Sequence, residues 1–159
     1  MGQRARRKQL PISQKESQKW LWSLEAVFSA RDGCANTRLV SVGDRDADVY
    51  DVLAAERPAG VALLLRAAWA RWVSAPQRSV WATVEAQPVV SAIVVHVPRR
   101  GPQPARTATL WLRSYPLTLY PPRHRKAEGL PTVALWAVQV REVDPPAEVE
   151  PIELIDRQK

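Results

Sequence analysis

The pattern of apolar residues changes character near Trp69, and that change constrains the fold more than any other feature of the chain. Before it, apolar stripes at helical spacing alternate with short continuous apolar runs. After it, β-rich runs follow one another, parted by turns that carry proline and glycine. The first half therefore predicts helix and strand in alternation, as in an α/β sheet. The second half predicts an antiparallel β subdomain.

Within the first half, Leu39, Val40 and Val42 suit a buried strand, Gly43 allows a tight exit, and Asp44 stands at the strand's carboxyl end. Val49, Tyr50 and Leu53 then recur at helical spacing, which predicts a helix from about Asp46 to Glu56. Arg57, Pro58 and Gly60 punctuate it, and residues 61–66 form a continuous apolar run suited to a covered parallel strand. Upstream, Ser13 and Glu16 have the spacing of a capping box. Trp20, Leu21, Leu24, Val27 and Phe28 mark one apolar stripe after it, stopped by Arg31, Asp32 and Gly33.

Carboxyl ends of strands in open α/β sheets are where sites are built. A carboxylate there, such as Asp44, has two readings: it caps the next helix or it holds a metal. Asp44, Asp46 and Asp48 also alternate like the start of a calcium loop. That pattern fails, because the sixth and twelfth positions are Val49 and Ala55 rather than Gly and Glu.

In the second half, residues 79–84, 92–97, 107–113, 116–120 and 132–141 each predict a strand, with no comparable helix between them. Five of the seven tryptophans, Trp69, Trp72, Trp81, Trp111 and Trp136, fall here. Aromatics in strands usually fill the core or pair across strands, a stacking surface for unpaired bases being the alternative.

The net charge of +7 and pI near 10.2 favour an anionic partner, most simply nucleic acid. Arg99, Arg100 and Arg106, then Arg123, Arg125 and Lys126, are the loop candidates for phosphate contact. Their other reading is a solvated edge that discourages strand aggregation. Arg4, Arg6, Arg7 and Lys8 predict a flexible basic arm over residues 1–12, able to track phosphates or simply solvated. Cys34 is the only cysteine, which excludes an internal disulfide and fits a reducing cytoplasm. With His96 and His124 far from it in sequence, no zinc site or Cys/His nucleophile assembles. No apolar run is long enough to span a membrane, and the basic N-terminus lacks the apolar core of a signal peptide.

Asp44-Arg-Asp-Ala-Asp-Val-Tyr50 resembles the Asp-Arg-Glu-Ala-Asp-Ile-Tyr motif of bacterial insertion-sequence transposases. These are cut-and-paste DDE enzymes with a β-strand domain inserted into a ribonuclease-H-like core. Residues 10–21 and 135–146 resemble further blocks of that family in the same order, so the likeness spans about residues 10 to 153. It implies an α/β fold with a partial ribonuclease-H-like core over 13–68, an antiparallel β insertion subdomain over 69–147 and a tail over 148–159. It also implies that Asp44 is the second catalytic, metal-binding acid, that Mg2+ or Mn2+ serves the intact family, and that DNA, as transposon ends, is the partner. A bacterial cytoplasm, close to the nucleoid, is the implied location.

The resemblance breaks at both ends. The family's first Asp, on a strand upstream, has no counterpart, and after Glu153 the family's tryptophan, apolar strand and Tyr, Arg, Glu, Lys helix with the third acid do not follow. Glu148, Glu150 and Glu153 lie in a proline-rich segment and do not replace that acid. In the family, two ions held by three carboxylates activate water and then a DNA 3′-hydroxyl for in-line attack at phosphorus. One carboxylate cannot fix two ions at about 3.5–4 Å separation. The expectation is an internal transposase fragment, inactive alone, with association with a full-length transposase as a further possibility. The alternatives are a non-catalytic DNA-binding or inhibitory module, and a decayed product without a role.

Overall fold

The computed structural model describes residues 17–34, 36–147 and 149–153. The capping box at Ser13 and the arm residues Arg4, Arg6, Arg7 and Lys8 lie outside them. The chain divides into two compact units, residues 1–67 and 68–159.

The first unit runs α1 (Gln18–Asp32), β1 (Leu39–Gly43), a 3-10 turn (Arg45–Ala47), α2 (Tyr50–Ala54) and β2 (Val61–Leu65). The stripe read from the sequence is the packed side of α1: Leu24 is 2% exposed, while Trp22, off the stripe, is 62% exposed. β1 and β2 pair in parallel, Leu39 opposite Val61 through Gly43 opposite Leu65. Helix α1 packs on α2 and on both strands. Parallel strands are normally covered on both faces. Here Val40, Val42 and Leu64 lie on one face of the pair and are exposed, Val42 at 70%.

The expected single helix from Asp46 to Glu56 is instead a 3-10 turn and the short α2. Asp48 interrupts it, buried and with a non-helical backbone (φ −71°, ψ 63°).

The second unit contains α3 (Val80–Glu85) and a three-stranded antiparallel sheet in the order β3 (Ser91–Val97), β4 (Arg106–Leu119), β5 (Val133–Val143). A second 3-10 segment, Arg123–Glu128, links β4 to β5. Two expectations are corrected here. The 79–84 run is helix from Val80 on, not strand: Val80, Thr83 and Val84, although rich in β-branched types, stand at i, i+3 and i+4 and are all buried on one helical face. The runs 107–113 and 116–120 are one strand, because Ser114, Tyr115 and Pro116 stay paired with Val138, Ala137 and Trp136. β3 pairs no farther than Leu112, so β4 has an open flank beyond it. A proline, which cannot donate a ladder bond, is tolerated beside such a flank.

The sheet buries different faces at its two ends. Ala108, Leu110, Val140 and Glu142 are buried on one face, where Val95, Val97, Leu112 and Ile152 pack around the apolar members. Leu117, Leu119, Val133 and Gln139 are buried on the other, toward α3. The changeover shows in β5 as two consecutive buried residues, Gln139 and Val140. It leaves Trp136 68% exposed on the face that is buried farther along.

No helix among the described residues is long and apolar enough to cross a membrane.

Candidate functional site

Asp44 follows β1 because Gly43 lets three segments meet. A Cβ on Gly43 would lie 2.6 Å from the Ala47 Cβ and 2.7 Å from Leu65 Cδ2, so no larger residue fits without displacement. The Arg66 amide donates to the Gly43 carbonyl (3.0 Å), which carries β2 alongside the end of β1. Asp44 has an extended backbone, and its Oδ1 accepts the Asp46 amide at 3.1 Å, capping the 3-10 turn. The three acids of the motif thus differ: Asp44 and Asp46 are exposed, and Asp48 is buried. Among the described residues no three or more His, Cys, Asp or Glu side chains gather where they could hold a metal ion. A two-ion centre needs carboxylates bridging sites about 3.5–4 Å apart, and among the described residues Asp44 is not part of such a group.

The basic candidates sort into two kinds. Arg106 makes a bidentate pair with Glu142, Nη2 donating to Oε2 at 2.9 Å and Nη1 to Oε1. Arg125 is bidentate to Glu128 at 2.9 and 2.6 Å. Both guanidiniums are engaged within the protein. Arg99, Arg100, Arg123 and Lys126 are exposed and have no carboxylate partner among the described residues. Arg99 makes one long hydrogen bond, to the Gly101 carbonyl at 3.4 Å. Arg123 lies over the Trp72 ring, 4.2 Å from its centroid.

The Arg106–Glu142 pair also fastens the chain after β5. Glu142 is 5% exposed; its carboxylate accepts the Ile152 amide at 2.9 Å, and its own amide donates to the Ile152 carbonyl at 2.9 Å. The Arg106 hydrogen bonds hold the Glu142 carboxyl below the usual carboxylate range, with the Ile152 amide adding to the effect and burial opposing it.

Around Arg123 the structure gathers residues that the sequence did not single out together. Residues 71–80 form a hairpin: Trp72 bridges Ser79, and the Val80 amide donates to the Arg71 carbonyl at 3.1 Å. The hairpin docks on the open flank of β4 through the Val73–Leu119 bridge, with the Tyr120 amide donating to the Trp72 carbonyl and the Ser74 amide to Thr118. Its turn closes where the Arg78 amide donates to the Ala75 carbonyl at 2.9 Å, Pro76 taking the position whose φ it presets. Arg78 sits in the left-handed region at φ 57°. An open hollow of about 600 Å³ results, lined by Trp72, Ser74, Pro76, Arg78, Tyr120 and Arg123, with flanking turn residues. Trp72 and Tyr120 are themselves exposed. Only Pro76 signalled the turn in the sequence; the convergence of Arg78 on Arg123, 45 residues away in the chain, is tertiary.

No protein-family model and no curated protein matches the chain.

Proposed function

We propose that these residues belong to a DDE transposase of the insertion-sequence type and act on DNA as a binding module, without cutting it by themselves. The observation that carries the reading is Asp44, inside an Asp-Arg-Asp-Ala-Asp-Val-Tyr motif at the carboxyl end of a strand paired in parallel, with an antiparallel sheet later in the chain. In this reading β1 and β2 are two strands of a ribonuclease-H-like sheet, and their bare face, with Val42 and Leu64, meets strands or helices of a full-length transposase. Asp44 is the second acid of the metal-binding triad there, and Mg2+ or Mn2+ binds only when the other two acids are supplied. Arg99, Arg100, Arg123 and Lys126, which have no carboxylate partner among the described residues, contact phosphates of the transposon end.

The test is an electrophoretic or fluorescence binding titration with duplex DNA over a salt series, beside a cleavage assay in magnesium and in manganese. Binding that weakens steeply with salt, and no strand cleavage, is the expected result. Cleavage that disappears in Asp44→Asn would overturn the non-cutting part, and salt-insensitive or absent binding would overturn the rest.

A further inference from the structure

We propose that the hollow between the 74–78 turn and the Tyr120–Arg123 segment is a nucleotide site, with phosphate held by Arg78 and Arg123 and the base lying against the exposed aromatic wall. Two cations line one open hollow, and neither has a carboxylate or hydrogen-bond acceptor for its side chain among the described residues. Arg106, Arg125 and Arg141 of the same unit are each matched to a glutamate, whereas Arg99, Arg100 and Lys126 are not; what sets Arg78 and Arg123 apart is that both line one hollow, beside two aromatic rings. The guanidinium fork suits phosphate oxygens, and stacking on Trp72 orients Arg123 before any ligand arrives.

Arg78 closes the turn after Pro76 with a left-handed backbone, a common geometry at the end of a hairpin turn, and it lines the hollow. The aromatic half of the wall decides between anions. A carboxylate or inorganic phosphate would use the arginines alone, whereas a nucleotide joins its phosphate to a flat apolar ring that stacks on Tyr120. The volume lies within the range of small-molecule pockets, about 300–1,000 Å³.

Calorimetric titration of the whole chain with dAMP, deoxyadenosine, inorganic phosphate and a single-stranded oligo-dT tests this. Expected is tighter binding of dAMP than of deoxyadenosine or phosphate, or binding of the oligonucleotide alone if the nucleotide is taken only from within a strand. Arg123→Ala and Arg78→Gly should each weaken that binding about tenfold or more, the loss of a charge-assisted contact. The glycine also relieves the left-handed backbone, so Arg78→Gly keeps the fold, to be checked by circular dichroism. Tyr120→Leu should bring dAMP down toward inorganic phosphate. Binding of dAMP and oligo-dT unchanged by both arginine variants, or no binding of either, overturns the site. A dAMP response without any duplex binding leaves the site standing while the DNA-module reading fails.

Discussion

Asp44 combines two properties that single substitutions can separate. Its carboxylate caps the 3-10 turn through the Asp46 amide, and its charge stands at the end of β1. Asn caps as well as Asp, so Asp44→Asn should leave stability nearly unchanged, whereas Asp44→Ala should cost about 0.5–2 kcal/mol in urea unfolding. Glu142 makes the opposite demand, since its value lies in the ionised form. With the folded carboxyl held below its ordinary value, the stabilisation is fully present above the unfolded value of about 4.3 and is lost as pH falls through the folded one. Urea midpoints followed from pH 7 into the acid range should therefore fall in the parent protein. Glu142→Gln should start lower at neutral pH, with Arg106 left unmatched, and decline less on acidification.

Elements whose periodicity agrees with their local chemistry could be read from the sequence. The runs at 39–43 and 61–65 are strands, and the α1 stripe centres on Leu24. Leu24→Ala should cost about 2–5 kcal/mol in the unfolding of the first unit, measured by denaturant titration. Where composition and spacing disagree, spacing governed: Val80, Thr83 and Val84 look like strand residues but are placed one helical turn apart. The candidate site was legible only in part. Asp44 and the basic loops stand out along the chain, but which cations are engaged depends on partners such as Glu142, 36 residues from Arg106, that no local pattern reveals. Arg78 was hidden for a different reason, since a left-handed backbone is the conformation an arginine predicts least.

For the whole molecule, the proposed DNA binding is tested by its response to salt, which follows the number of phosphates contacted rather than the net charge of +7. Each phosphate neutralised contributes a slope of about −0.9 in log K against log salt. Arg100→Ala, which removes an unmatched cation, should lessen the magnitude of that slope by about 0.9, while Arg125→Ala, already held by Glu128, should change it less. The sheet carries a consequence of another kind. A strand that simply alternates apolar and polar resists sliding by one residue, which turns every side chain over, but tolerates sliding by two. β4 and β5 invert their alternation partway along, near Gln139 and Val140, so a two-residue slide would also set apolar against solvent on one side of the inversion. The inversion works as a notch cut into both strands, and only one alignment brings the two notches together.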